Sequence, residues 1–302
     1  MNSNYVATIG FFDGVHRGHR YLISNVIDTA KREGRQSMVI TFDSHPRLVL
    51  HKEYRPKLLT TAEEKRRRLE ATGIDRCVML HFDGQMAALS AHDFMRDVLR
   101  DSLNVGKLII GYDNRFGHDR AEGFDDYVRY GRELGIDVVQ ADAFRLNGVQ
   151  VSSSVIRSFL SAGEADMAAM CLGYHYTLAG TVTQGYHEGR KLGFPTANIR
   201  PSDELKLVPE RGVYAVKVRL DSSPIQLDGM MNIGTRPTFD GTETSLEANI
   251  FDFDGDIYGH DMEVAFYHRL REERKFASVN KLAEQLRHDR EEAMRIFEKV
   301  KK

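Results

Sequence analysis

Hydrophobic periodicity changes once along this 302-residue chain, and that change limits its possible folds more than any other feature. Up to about residue 141, strand-like runs alternate with helical ones. Residues 5–10, 37–42, 77–82, 107–111 and 136–141 are rich in β-formers. Helical patterns run between them over about 18–32, 61–72, 90–103 and 124–134. The first helix sets Leu22, Ile23, Val26, Ile27 and Ala30 on one face. Thr61-Ala-Glu-Glu64 reads as a capping box that opens the second, and Gly135 ends the fourth. Strands separated by helices predict a parallel α/β sheet covered on both faces.

From about residue 176 the pattern differs. Residues 176–183, 212–220, 225–233, 245–251 and 261–267 are strand-like, and turns such as Phe253-Asp-Gly-Asp256 separate them. No long helix intervenes, so this half predicts an antiparallel sheet or a small barrel. One helix over about 278–299 closes the chain, with Leu282, Leu286, Ala293 and Phe297 apolar. Short helices at about 153–161 and 164–172 join the halves. The expected division is residues 1–160, a linker helix at 161–175, and residues 176–302.

The formal net charge is −2, so nothing global draws the chain to nucleic acid or an anionic membrane, and any phosphate binding must be local. Cys77 and Cys171 have no metal-ligand spacing and read as free thiols in a reducing compartment. The first residues lack a basic start and a long apolar core, and no run approaches the roughly 20 apolar residues that span a bilayer. A cytoplasmic location is expected. Oligomeric state is left open.

Gly10-Phe-Phe-Asp-Gly-Val-His-Arg-Gly-His19 follows the first strand and opens the first helix. Parallel sheets bind ligands at this end of a strand. The helix start offers free N–H groups and a positive dipole end to phosphate. Gly10 and Gly14 permit a tight turn, and His16 and His19 share a helix face. Alone, each histidine would read as a surface residue; strand, glycine turn and paired histidines together read as a nucleotide site. Val151-Ser-Ser-Ser-Val-Ile-Arg157 follows the last strand of this half. Ser152, Ser153 and Ser154 could bond phosphate or cap a helix, and Arg157 could fork onto phosphate oxygens.

This pairing of H-x-G-H with V-S-S-S-x-x-R resembles the nucleotidyltransferase superfamily. The resemblance implies a Rossmann-like sheet that moves a nucleotidyl group from a triphosphate and releases pyrophosphate. The full first string is similar to the FMN adenylyltransferase branch, and implies nucleotide contacts at Gly10, Phe11, Asp13 and Gly14. Thr41-Phe-Asp-Ser-His-Pro46 and Ile110-Gly-Tyr-Asp-Asn-Arg-Phe-Gly117 resemble that branch too. They imply flavin contacts at Phe42, His45, Pro46, Asp113, Arg115 and Phe116. Asn114 departs from the phenylalanine usual at its position.

In the second half, Gly185, Gly189 and Gly193 read as a flexible loop that can approach phosphates. Thr196 and Asn198 put two oxygen donors on one side of extended chain, a set that suits Mg2+ riding on ATP. An ordinary Gly/Pro turn would look much the same. The run Gly189-Arg-Lys-Leu-Gly-Phe-Pro-Thr-Ala-Asn198, however, resembles the riboflavin kinase motif. That resemblance implies a small antiparallel barrel and nucleotide contacts at Arg190, Lys191 and Pro195. It also implies a catalytic base at Glu247 and flavin contacts at Arg271 and Phe276. Asn249 stands where many relatives carry histidine. No G-x-x-x-x-G-K-[ST] occurs, which excludes a P-loop kinase.

Both resemblances together are those of the bifunctional riboflavin kinase/FMN adenylyltransferases, and imply ATP, riboflavin, FMN and FAD as substrates or products, with Mg2+. Two rivals remain at this stage. A nucleotidyltransferase with another acceptor would not need the second half, and a catalytically dead flavin-binding protein would lack Thr196, Asn198, Glu247 or the histidines.

Overall fold

The computed structural model describes residues 4–50, 53, 55–112, 114–118, 122–184, 194–238 and 241–300. The chain divides into two compact units, Met1–Ser153 and Ser154–Lys302.

The first unit is built on five parallel strands: β1 (Tyr5–Ile9), β2 (Gln36–Phe42), β3 (Arg76–Leu80), β4 (Val105–Ile110) and β5 (Asp137–Gln140). Their order is β3-β2-β1-β4-β5. The central strands β1 and β2 are buried at nearly every position, as a sheet covered on both faces requires. Alternation sends Ala7, Ile9, Met38 and Ile40 to one layer, with Phe94, Leu99 and Tyr127. Val6, Val39 and Ile109 pack on the other with Leu22, Ile23 and Val26 of α1 (Arg17–Glu33) and with Leu69. Helices α2 (Pro46–Leu50), α3 (Ala62–Glu70), α4 (Gly84–Ala88) and α6 (Phe124–Leu134) complete the layers. Both halves of the Thr61/Glu64 capping box form. The helix expected over 90–103 is instead α5 (Ala91–Asp93) running on as a π-helix, Phe94–Ser102. The wider turn suits its core contacts, because buried Phe94 and Leu99 are five residues apart. Short strands β6 (Arg145–Leu146) and β7 (Val149–Gln150) pair as a small hairpin.

The second unit holds a closed antiparallel barrel of β8 (Thr177–Thr183), β9 (Ala197–Pro201), β10 (Gly212–Leu220), β11 (Leu227–Thr238), β12 (Gly241–Ile250) and β13 (Asp261–Arg271). The order around it is β10-β11-β12-β9-β8-β13, and closure leaves no edge strand. Helices α7 (Ser153–Ser161), α8 (Ala165–Leu172) and α9 (Val279–Val300) flank it. Strand β9 was not among the expected strands; it is only five residues long, follows a Gly/Pro stretch and ends in proline, so its short Ala197–Ile199 alternation gives little signal. β11 and β12 extend into a hairpin whose polar residues hide its strand character, while Ile225 lies outside β11 and is 65% exposed.

Strand β10 is buried on both faces because α9 covers the outer one. Val213 and Ala215 pack with Ala293 and Phe297, while Tyr214 meets Phe266 edge-on at 5.4 Å. The helix is also fixed electrostatically. Arg271, at the end of β13, places Nε 2.9 and 3.1 Å from the two carboxylate oxygens of Asp289, which is 1% exposed. Gln285 donates to the same carboxylate at 2.7 Å. Removing one partner of such a pair strands the other charge, at a cost of about 3 kcal/mol or more. Asp289→Ala should therefore accelerate hydrogen exchange of the β10 and β13 amides. Unchanged protection there would show that apolar packing alone docks α9.

Candidate active sites

The order of the first sheet reverses between β1 and β4, and a crevice opens beyond their carboxyl ends. The glycine turn fills it. Phe12, Gly14 and Val15 all adopt positive φ (54°, 79° and 37°) to reverse the chain within one short turn. The Asp13 carboxylate locks that turn from below, accepting from the amides of Leu59 (2.9 Å) and Thr60 (3.0 Å). The Gly14 amide donates to the Thr60 hydroxyl at 3.0 Å. Asp13 thus shapes the loop. A β-carbon at Gly18 would lie 3.2 Å from both the Val151 carbonyl and the His16 ring, so glycine lets the serine segment approach. There the Ser153 hydroxyl donates to the Asp13 carbonyl at 2.9 Å. Ser152 lies beside it in the chain; Ser154 and Arg157 follow on α7, in the second unit.

His16 caps α1, its Nδ1 accepting from the His19 amide at 3.3 Å, which leaves its proton on Nε2. The two imidazoles stack at 3.6 Å. Burial, then the neighbouring His16 and Lys65, hold the His19 pKa well below the ordinary histidine value, so the ring is neutral near pH 7. Its Nδ1 is buried with no hydrogen-bond partner among the described residues. Imidazole N–H groups at a helix start can donate to phosphate oxygens.

Beside the turn lies a cleft of about 420 Å³, lined by Gly10, Phe11, Phe42, Pro46, Arg115 and Phe116 together with Phe82, Met86 and Asn114. Its size and aromatic walls suit a planar ring system. His45 stands edge-on to Phe11 at 4.6 Å. Phe116 is braced by Tyr127, stacked at 4.2 Å. Asp113 lies outside the described residues.

Two residues of this site had no role assigned from the sequence: Asn114 stood out only as a departure, and Lys65 not at all. Asn114 donates its side-chain amide to the Ile9 carbonyl, a contact that the phenylalanine usual at this position could not make. Lys65, on α3, is only 1% exposed; its ammonium donates to the Phe42 carbonyl at 2.6 Å and lies 3.7 Å from the Phe11 ring centre. The signal was a lysine on the buried side of a helix next to its capping box. Burial lowers its pKa from the usual 10.5 to about 8, against the pull of Asp13 and Asp43.

In the second unit, register brings the candidate groups together. Asn198 of β9 pairs directly with Glu247 of β12, and Glu247 pairs with Asn232 of β11. Cross-strand partners share a face with Cβ atoms about 5 Å apart, so an amide, a carboxylate and a second amide form one row. Pro195, Thr196 and Ala197 line a neighbouring cleft of about 410 Å³ with Ala248, Phe253 and Tyr258. Gly185, Gly189, Arg190, Lys191 and Gly193 lie outside the described residues. Arg271 and Phe276 do come together, the guanidinium 5.5 Å from the ring centre, though Arg271 is also bound to Asp289.

A nucleotide crevice on a parallel sheet and an oxygen-donor row on a closed barrel define a two-site nucleotide-using enzyme. Comparison with known proteins agrees. Residues 1–155 match the FAD synthetase family model and residues 172–297 the riboflavin kinase model. The bifunctional riboflavin kinase/FMN adenylyltransferase of Escherichia coli K12 is 36% identical over 97% of this chain and 92% of its own. That of Pseudomonas fluorescens is 38% identical over 92% and 88%. A solved structure described as a macrolide-efflux protein from Streptococcus pneumoniae superposes with a TM-score of 0.87 at 31% identity, covering 96% of this chain and 94% of that one. This chain belongs to the bifunctional riboflavin kinase/FMN adenylyltransferase family. Among the described residues no helix is long and apolar enough to cross a membrane.

The buried lysine carries a signed prediction. Between about pH 8 and the ordinary lysine range, folded Lys65 has lost its proton while the unfolded chain keeps one. The unfolded state then binds more protons, so stability must rise with pH there. Relative to Lys65→Met, wild-type chain should gain melting temperature from pH 8 to 10 by calorimetry. A difference independent of pH would contradict the burial of a titrating amine.

Proposed function

We propose that residues 176–302 phosphorylate riboflavin and residues 1–160 adenylylate the product, with residues 161–175 as the linker. In the first reaction the Glu247 carboxylate takes the proton of the riboflavin 5′-hydroxyl. That oxygen bonds the γ-phosphorus of ATP, the bond to the β–γ bridging oxygen breaks, and ADP leaves with FMN formed. A positioned base of this kind contributes roughly 10²–10⁴ in rate. In the second reaction an FMN phosphate oxygen bonds the α-phosphorus of a second ATP, and pyrophosphate departs as FAD forms. No covalent enzyme intermediate is needed; positioning and charge stabilisation suffice.

The observation that carries the reading is the register pairing Glu247 with Asn198, because it sets a base beside an oxygen donor on one face of the barrel. Thr196, Asn198 and Glu247 offer hard oxygen ligands only, a set that fits Mg2+ held mainly by nucleotide phosphates. Bound there, Mg2+ would neutralise charge on the ATP phosphates. In the other unit, His16 and His19 donate to ATP phosphate oxygens, while Phe42, Pro46 and Phe116 enclose the flavin. The chain works in the cytoplasm, where ATP is supplied.

Glu247→Gln should abolish FMN formation from riboflavin and spare FAD formation from added FMN. His19→Ala should slow FAD formation by about 10²-fold and spare FMN formation. Chromatographic resolution of the flavins checks both, and equal loss of the two activities in either variant would refute separate sites.

A further inference from the structure

We infer that Asn249 is a positioning residue that sets the nucleotide-binding turn of the kinase site through the Pro195 carbonyl. The backbone ladder between β9 and β12 runs through Glu247–Asn198 and Ala248–Ala197. The next residue toward the turn, Thr196, precedes β9 and has no ladder partner among the described residues. There the side chain of Asn249 takes over, donating its amide to the Pro195 carbonyl at 2.7 Å. Asn249 is 5% exposed, so the bond is made out of water.

Strand alternation puts Asn249 on the same side of β12 as Glu247. One strand thus presents the proposed base and, two residues on, the group that ties down the start of Pro-Thr-Ala-Asn. Pro195, Thr196 and Ala197 also line the 410 Å³ cleft, so a shift of the Pro195 carbonyl would move a cleft wall and the Thr196 hydroxyl together. Pro195 has no amide N–H of its own, which leaves its carbonyl as its one backbone hydrogen-bonding group. The histidine usual at position 249 can also donate an N–H. What the position requires is therefore a donor, and its departure from the family pattern exchanges one donor for another.

This inference rests on the kinase reading, and its test separates the two. Asn249→Asp keeps size and shape and replaces the donor by an oxygen facing the carbonyl. Asn249→His restores an N–H. In the full chain, ADP with Mg2+ is titrated calorimetrically, and riboflavin phosphorylation is followed for KM and kcat. FAD formation from added FMN reports on the other unit. Asn249→Asp should weaken ADP binding and raise KM for ATP by about tenfold, the scale of one lost buried hydrogen bond, with kcat changed far less. Asn249→His should bind ADP within a factor of about three of wild type, and both should make FAD from FMN normally. Asn249→Asp with wild-type ADP affinity, or both variants losing kcat and thermal stability in parallel, would overturn the positioning role. A wild-type chain that bound no ADP and made no FMN would instead overturn the kinase reading itself.

Discussion

A backbone carbonyl withdrawn from water needs a donor, and both candidate sites lie where a strand ladder stops supplying one. In the parallel sheet, β1 and β4 pair no further than Ala7 and Leu108. Beyond that point side chains finish the work. Asn114 serves Ile9, the Thr41 hydroxyl serves Phe11 at 3.0 Å, and Lys65 serves Phe42. In the barrel the β9–β12 ladder ends at Ala197 and Ala248, and Asn249 serves Pro195. The carbonyls so served belong to cleft-wall residues, Ile9, Phe11 and Phe42 in one unit and Pro195 in the other, so the donors that replace the ladder hold the walls in place.

The two solutions differ in what they demand of charge. The adenylyl site carries a buried ammonium close to a stacked imidazole pair, and that charge helps keep His19 neutral. Neutral His19 can donate a hydrogen bond without adding its own positive charge beside that ammonium. The candidate barrel site has one partly buried carboxylate flanked by neutral amides, with no lysine or arginine in the Asn198–Glu247–Asn232 row. A base needs an available lone pair, and a phosphate-binding turn needs donors; under the proposed roles each unit offers the group its own step requires.

Much of this was readable in the sequence because it was local. The period change near residue 176, the capping box at Thr61 and the glycine turn before His16 each depend on neighbours in the chain. What stayed hidden depended on distant partners. Strand β9 takes its identity from its neighbours β8 and β12 rather than from its own composition. Lys65 reads as an ordinary helical lysine until the strand ends close over it. Asn114 and Asn249 read as departures from pattern, and only the Ile9 and Pro195 carbonyls reveal what they do. Nothing in the sequence near Asp13 shows that its carboxylate accepts from Leu59 and Thr60, more than forty residues along the chain. The π-helix at Phe94–Ser102 was likewise invisible, since its apolar spacing passes for an α-helix over a short window.

The central claim is that two strand-end sites on one chain carry out consecutive steps, with FMN the product of one and the substrate of the other. A time course with riboflavin, ATP and Mg2+, resolved by chromatography, addresses it directly. The account predicts that free FMN rises first and that FAD follows after a lag which added FMN abolishes. FMN that accumulates without ever becoming FAD, or an absence of both products, would contradict it.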